Sequence, residues 1–216
     1  MVLTLFLTFS LGVFVLYALW SRSAATGGQR HSLDPRIRQL GGGFVGRVGG
    51  ARAARTSAPA LSALRITDIL PETLVLPALT GQTKEAVLRE LAGHLAAQRA
   101  DVDADHLVAV LLKRERLGST AIEDGSAMPH SMLPGVNSLV AAFGRHGEGV
   151  DFGRPDGQPT RLFFLLVAPE NCAGLHLTAL ARMSLLLKGS AFREQLLSAG
   201  DARGLYEAIR REDLKD

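Results

Sequence analysis

Residues 162–167 read LFFLLV, an unbroken run of six apolar side chains. A strand with one face in water alternates apolar and polar residues, whereas a strand buried on both faces is apolar throughout. We therefore interpret 162–167 as a strand inside a sheet that is covered on both faces. A second strand-like run, SLVAAF, occupies residues 138–143.

Helical periodicity surrounds these two strands. One amphipathic helix is predicted to open near Thr83, a suitable N-cap, and a second to follow Asp103 and end around Gly118. The apolar residues expected to face the core are Val87, Leu88, Leu91, Leu95, Leu107, Val110 and Leu111. Further helical patterns cover about 174–187, 190–199 and 202–211. Strands between helices, one of them buried on both faces, predict an α/β sandwich of about 150 residues.

The N-terminal segment has a separate character. Residues 2–20 are uncharged and close to the roughly 20 residues that a helix needs to cross a bilayer core. Basic residues follow that run, so the positive-inside rule places everything after it in the cytoplasm. Two alternatives stay open: a signal peptide cleaved near Ala25, disfavoured because no basic residue precedes the run, and a start assigned upstream of the true one. We expect residues 1–21 to be a transmembrane anchor or a misassigned start.

Residues 22–65 are rich in Gly, Ala, Ser and Arg and lack periodicity. Such a segment cannot bury enough apolar surface to offset its chain entropy, so a disordered linker is expected. Residues 1–67 carry eight arginines, no lysine and one acidic residue, which leaves an excess of acidic residues in the remainder of a chain whose net charge is +3. The basic excess shows no pattern of interleaved aromatic residues and no reading helix, so no nucleic-acid partner is expected.

Residues 118–130, GSTAIEDGSAMPH, are unlike a plain connector. Pro129 restricts its own backbone and that of Met128, which gives His130 a stiff mount. A stiff mount suits a nucleophile or a ligand, although a histidine satisfied at a strand end has the same sequence pattern.

Sequence spacing gives no support to a metal or nucleotide site. The chain has no HExxH or HxH pair, no GxxxxGK[ST] loop and no GxGxxG motif. We expect His94, His106 and His146 to be solvent-exposed. The single cysteine, Cys172, excludes an internal disulfide and any CxxC site.

Three motifs in order carry a resemblance to a known family: RERLGSTAIEDGSAMPH at 114–130, DGQPTRLFFLLVAP at 156–169 and HLTALARMSLLL at 176–187. Together they resemble enzyme IIA of the fructose/mannitol class of the bacterial phosphoenolpyruvate-dependent sugar phosphotransferase system, most of all its nitrogen-regulatory members. The resemblance covers residues 66–212. It implies a three-layer α/β/α sandwich with a mixed β-sheet flanked by helices.

The same resemblance assigns a phosphotransferase site. It makes His130, in the position of the family's (A/S)xPH histidine, the phosphoacceptor for an HPr-type phosphohistidine protein. His176 matches the second active-site histidine, which opens an HLxxL motif, and Arg114 matches the arginine of the RE pair. No cofactor or metal is expected, because phosphohistidine is already an activated donor.

The chemistry of these residue types suits phosphoryl transfer independently of the family resemblance. A neutral imidazole is nucleophilic and uncharged near pH 7, so it approaches a phosphoryl group without added repulsion. Charge spreads over the equatorial oxygens in the transition state, where Arg114 would supply paired donors and His176 a further hydrogen bond. Ser119 and Thr120 either add hydroxyl donors or cap the helix and solvate the loop.

Two residues depart from the family's usual glycines, namely Glu123 and Ser131. An acid beside an anionic phosphoryl group would slow transfer or alter partner choice, but we favour the interpretation of Glu123 and Asp124 as a solvated pair of loop charges. Ser131 is not expected to block the site.

Three functions stay open at this point. The leading one is a cytoplasmic phosphocarrier that regulates nitrogen or general metabolism by binding target proteins, which the lack of a fused IIB or IIC segment favours. The second is a transport IIA protein that passes phosphate to a IIB subunit. The third is a non-catalytic interaction module with the same fold.

Overall fold

The computed structural model describes residues 64–122 and 124–215. The expected anchor at 1–21 lies outside these residues, as does all but the last two residues of the expected linker at 22–65. Within the described part of the chain, no helix is both long and apolar enough to cross a membrane.

Along the described chain, one strand is followed by two helices, five strands and three helices, after an opening pair of 3-10 turns. Two short 3-10 helices come first, Ile66–Asp68 and Glu72–Leu74. The strands are β1 (Val75–Leu79), β2 (Ala121–Ile122), β3 (Ser126–Ala127), β4 (His130–Leu133), β5 (Val140–Val150) and β6 (Thr160–Pro169). The helices are α1 (Lys84–Ala96), α2 (Ala104–Glu115), α3 (Ala173–Lys188), α4 (Ser190–Ser198) and α5 (Ala202–Asp213).

The strands form one mixed sheet in the order β1-β5-β6-β3-β2, and β4 also pairs with β6. β5 runs antiparallel to β6, while β3 and β4 run parallel to it. Residues 162–169 of β6 are all buried, as expected for a strand with both sheet faces covered. The prediction of a mixed α/β sheet flanked by helices is therefore confirmed.

β3 and β4 follow one another along the same edge of β6 with one register. Ser126 pairs with Leu162 and His130 with Leu166, so the offset between the paired strands is the same before and after the break. Pro129 stands in that break, where a residue without an N–H cannot donate to a ladder. The strand therefore stops and restarts at His130.

The predicted helix starts are confirmed by their caps. Thr83 Oγ1 accepts a hydrogen bond from the N–H of Ala86 at 3.2 Å, and the Asp103 carboxylate accepts one from the N–H of His106 at 2.7 Å. The inward face of α2 differs from the prediction, because Val108 is buried where Val110 was expected and Val110 is only partly buried.

The exposure expected for one histidine is wrong. His146 lies within β5 and is buried, although polar and small residues surround it in the sequence. Its Nδ1 accepts a hydrogen bond from the N–H of Gly149 at 2.8 Å. The strand is longer than the apolar run 138–143 that indicated it, and its extension beyond that run buries the imidazole.

A buried ion pair joins the end of α5 to α3 and to the first 3-10 helix. The Asp213 side chain is 0% exposed, accepts from Arg182 Nε at 2.6 Å and accepts from the N–H of Thr67 at 3.1 Å.

Removing one partner of a buried ion pair leaves the charge of the other buried and unpaired. Asp213→Ala is therefore expected to lower the free energy of unfolding by about 3 kcal/mol in urea denaturation of the full chain. Glu207→Ala breaks an exposed pair with Arg210 in the same helix and should cost far less. Equal losses would contradict this account.

Candidate active site

One ring nitrogen of His130 forms a hydrogen bond within the protein. It is the first residue of β4, is partly buried, and its Nδ1 lies 2.8 Å from the carbonyl oxygen of Met128. Because a carbonyl only accepts, this hydrogen bond assigns the proton to Nδ1 and leaves the lone pair on Nε2. In the neutral ring, Nε2 is therefore the nucleophilic atom.

His176 lies beside His130 although 46 positions separate them in the sequence. The ring centroids are 5.4 Å apart and the rings are tilted by 53°. His176 belongs to the first turns of α3 and is 6% exposed. Its Nε2 is buried without a hydrogen-bond partner. A buried ring nitrogen with no partner inside the protein is available to a group that binds between the two histidines.

Arg114 lies in the last turn of α2, where its Nη1 donates to the carbonyl oxygen of Gly118 at 2.8 Å. That bond ties the end of the helix to the loop that follows it and uses one of the five guanidinium N–H donors. The arginine is close enough for its charge to act on the His130 ring. The fold thus brings together the three residues that the sequence singled out, from α2, β4 and α3.

The surroundings keep both imidazoles neutral. Burial lowers the pKa of His130 below 6.5, and the Arg114 charge lowers it further, while the Met128 carbonyl and the Glu115 carboxylate oppose the decrease. Burial also lowers the pKa of His176, with the neighbouring His130 as a second cause. Near pH 7, the Nε2 lone pair of His130 is therefore free.

These shifts predict a pH profile. If neutral His130 is the nucleophile, the rate of phosphoryl transfer should decline on acidification with a midpoint below pH 6.5, since the pKa is depressed. Initial rates between about pH 5 and 8 test this, with an NMR titration of the His130 ring for comparison. A rate midpoint above 6.5, or one that differs from the ring titration, would contradict the prediction.

Glu115 is a site neighbour that the sequence analysis did not single out. Its carboxylate is 3% exposed and lies 3.4 Å from Lys84 Nζ. The N–H of Thr120 donates to both carboxylate oxygens at 3.2 Å, and the Thr120 hydroxyl donates to one of them. The signal was present in the RE pair, where the acid directly follows Arg114.

The hydroxyl groups of Ser119 and Thr120 both donate hydrogen bonds within the protein. Ser119 Oγ donates to the carbonyl oxygen of Phe152 at 2.7 Å and accepts from the N–H of Ala121. The Thr120 hydroxyl donates its proton in a hydrogen bond to the Glu115 carboxylate. Of the two roles that the sequence left open, the geometry favours the structural one, since neither hydroxyl proton is free for a phosphoryl group.

Of the two departures from the family pattern, Ser131 lies among the described residues, as does Asp124, the neighbour of Glu123. Asp124 forms an ion pair with Arg193 of α4 at 3.3 Å, so it is not simply a solvated charge, while Glu123 lies outside the described residues. Ser131 is buried, and as the next residue along the strand it faces away from the His130 ring. It does not obstruct the site.

Large apolar side chains are exposed at positions that lie close in the sequence to the three site residues. Leu117 is 84% exposed and follows Arg114 by three positions, and Leu177, 65% exposed, is next to His176. Leu175 and Met132 are also exposed. We call these four residues the apolar rim. Exposed apolar side chains grouped around polar residues are typical of a protein contact surface.

Among residues 64–122 and 124–215, no group of three or more His, Cys, Asp or Glu side chains is placed to hold a metal ion.

Comparison with known proteins places this chain in a family. The family model described as "Phosphoenolpyruvate-dependent sugar phosphotransferase system, EIIA 2" matches residues 68–212. A nitrogen regulatory protein of Bradyrhizobium diazoefficiens is 39% identical over 144 residues, which cover 67% of this chain and 94% of that protein. A fructose-specific EIIABC component of Bacillus subtilis is 33% identical over 150 residues, 69% of this chain but 24% of that protein.

A solved structure agrees. The crystal structure of nitrogen regulatory protein IIA-Ntr from Neisseria meningitidis matches with a TM-score of 0.63 at 30% identity, over 67% of this chain and 98% of that one. The family model spans more than half of the chain and includes every residue of the site described above. The chain therefore belongs to the EIIA 2 family of the phosphoenolpyruvate-dependent sugar phosphotransferase system.

Proposed function

We propose that His130 accepts a phosphoryl group on Nε2 from an HPr-type phosphohistidine protein and that the chain works as a phosphocarrier. The observation that carries the proposal is the arrangement of the two histidines. Nδ1 of His130 is held by the Met128 carbonyl, so its Nε2 lone pair is available next to the buried, unpartnered Nε2 of His176.

The transfer needs no group beyond the two proteins. As the Nε2 lone pair of His130 forms a bond to phosphorus, the bond between phosphorus and the donor's ring nitrogen breaks and that nitrogen recovers its electron pair. The Nδ1 proton of His130 stays in place, and its bond to the Met128 carbonyl stabilises the positive charge that the ring acquires. One P–N bond replaces another, so the phosphoryl group keeps its transfer potential.

Arg114 and His176 stabilise the charge on the moving group. The loose transition state spreads negative charge over the equatorial oxygens, and catalysis consists mostly of placing donors around them. The guanidinium of Arg114 has donors beyond the one bound to Gly118. In the tautomer with a proton on Nε2, His176 donates its unpartnered N–H to the same oxygens.

Full-length protein, incubated with phosphoenolpyruvate, enzyme I and an HPr-type protein, provides the direct test. Mass spectrometry should find one acid-labile phosphoryl group, mapped to His130. No gain with several HPr-type donors would reject the carrier proposal and favour a non-catalytic interaction module.

We propose that the output is regulatory, through binding of target proteins in the phosphorylated or free state. The regulatory protein of Bradyrhizobium is covered over 94% of its length, which supports a similar role. The second candidate is a transport IIA that donates phosphate to a IIB subunit, and it draws support from the match to a fructose-specific component. Phosphoryl transfer from the loaded chain to a IIB subunit encoded nearby would favour transport.

The apolar rim is the proposed contact surface for the phosphoryl donor protein. Leu177→Lys places a charge in the rim next to His176, and the KM for the donor should rise about tenfold with kcat little changed. Leu185→Lys is the matched control, because this residue is 52% exposed on the same helix and lies about 12 Å further along it. Equal effects of both substitutions on KM would contradict the assignment of the surface.

For the chain as a whole, we propose a phosphotransfer domain at 66–212 that faces the cytoplasm, joined by a linker at 22–65 to an anchor at 1–21. Membrane fractionation of the full-length protein tests the anchor. Recovery in the soluble fraction, with an N-terminus downstream of Trp20, would reject it.

A further inference from the structure

The buried carboxylate of Glu115 has no part in the chemistry described so far, yet it lies beside the site. We propose that Glu115 is a positioning residue for His130, acting through Thr120 and Met128 to hold the ring in its Nδ1–H tautomer. The consequence for phosphoryl transfer rests on the proposed function of His130, whereas the effect on the tautomer does not.

A continuous series of hydrogen bonds joins the two side chains. The Glu115 carboxylate accepts from the backbone N–H of Thr120 at 3.2 Å and from its hydroxyl. The carbonyl oxygen of Thr120 accepts from the N–H of Met128 at 3.1 Å. The carbonyl oxygen of Met128 accepts from Nδ1 of His130 at 2.8 Å. Each residue on the path is thus held by the one before it.

The bond from Thr120 fixes the N–H of Met128, while the Met128 side chain packs against the core and the Pro129 carbonyl accepts from the N–H of Leu166 at 3.0 Å. β2 and β3 have two residues each, and the bond between Thr120 and Met128 extends their pairing by one step. Directly after Met128, Pro129 has no N–H to donate. Movement of Thr120 would therefore displace the Met128 carbonyl and release the Nδ1 proton.

Glu115 is equipped to act as a charged anchor. Lys84 Nζ lies 3.4 Å from its carboxylate and 4.9 Å from the centroid of the Phe152 ring, which keeps the lysine in place. A buried carboxylate is tolerated when it is paired and hydrogen-bonded, as here. A negative charge near the site opposes entry of a phosphoryl group. Its pull on the Nδ1 proton and the order it gives the loop offset that cost.

Glu115→Gln is the main test, because it removes the charge while keeping the side-chain size. Side-chain 15N NMR of the full-length, unphosphorylated protein should show one His130 tautomer in the parent, protonated at Nδ1. In the variant we expect a mixture of the two tautomers and a lower pKa for His130, since the carboxylate raises it. Phosphoryl transfer should slow about 10- to 100-fold.

Glu90→Gln is the matched control. The Glu90 carboxylate also anchors a loop, accepting from the N–H groups of Thr80 and Gly81 at 2.9 and 3.1 Å, but it has no path to His130. This variant should keep the parent tautomer and rate. If Glu115→Gln does not fold, Thr120→Val, which removes only the hydroxyl bond to Glu115, should still give a partial tautomer shift.

Two results would overturn the positioning role. One is a single, parent-like tautomer and an unchanged His130 pKa in every folded variant. The other is a tautomer shift of the same size in Glu90→Gln, which would mean that the ring reports general loosening of the fold. Failure of the parent protein to accept phosphate would reject the carrier function and leave the tautomer test intact.

Discussion

His130→Ala is expected to reduce phosphorylation of the chain below detection. The substitution removes the Nε2 lone pair that the Met128 hydrogen bond makes available, and no other side chain takes that place in β4. Loss of a nucleophile that forms the covalent intermediate costs several orders of magnitude in rate. The measurement is incorporation of acid-labile phosphate, followed by mass spectrometry after incubation with the complete donor system.

The fold should survive this change. His130 is partly buried and makes one side-chain hydrogen bond, so the free energy of unfolding should fall by about 1 kcal/mol or less. His106→Ala, an exposed position on α2, is the control and should be phosphorylated like the parent. Phosphate incorporated into His130→Ala at the parent rate would reject the assignment. Mapping it to His176 would identify that neighbour as the acceptor.

Arg114→Ala is expected to slow transfer about 10²- to 10³-fold, mainly through kcat. The guanidinium acts on charge that develops in the transition state, so its loss affects the reaction more than donor binding. Arg114→Lys should fall in between, because an ammonium keeps the charge but lacks the planar pair of donors.

The pKa of His130 separates this effect from a change in protonation. The Arg114 charge lowers that pKa, so Arg114→Ala should raise it toward 6.5. Near pH 7 the ring then stays mostly neutral, and protonation cannot account for a hundredfold loss of rate. Arg116→Ala, at an exposed position two residues further on, is the control. Parent-like kinetics for Arg114→Ala would remove the arginine from the proposed mechanism.

The candidate site residues came from the resemblance of their motifs to a known family, and two of them also stand in a local context that the sequence shows. Pro129 marks the stiff mount of His130, and the helical pattern after residue 173 carries His176. The supporting groups were not readable. Glu115 is one more acid in a charged helix end until the fold places it against Thr120, and the Met128 carbonyl is a backbone atom with no sequence signature of its own.

The strands likewise divide into those that the sequence indicated and those that only the assembled sheet shows. The apolar run of β6 indicated a strand buried on both faces because burial leaves a mark on six consecutive side chains. β2 and β3 have two residues each, too few for any periodicity, and exist because their partners in the sheet align them. β1 pairs in parallel with β5 across more than 60 positions and was not predicted.

By itself, the sequence determined the α/β class and the helix starts at Thr83 and Asp103, because local periodicity and capping are properties of neighbouring residues, and its three motifs supplied the candidate site residues through their resemblance to a known family. Only the tertiary structure decided that the rings of His130 and His176 lie 5.4 Å apart, that His146 is buried, and which His130 nitrogen carries the proton. Those features depend on contacts between segments distant in the chain and on backbone atoms common to every residue. Burial and hydrogen bonding of that kind arise only when the sheet is assembled.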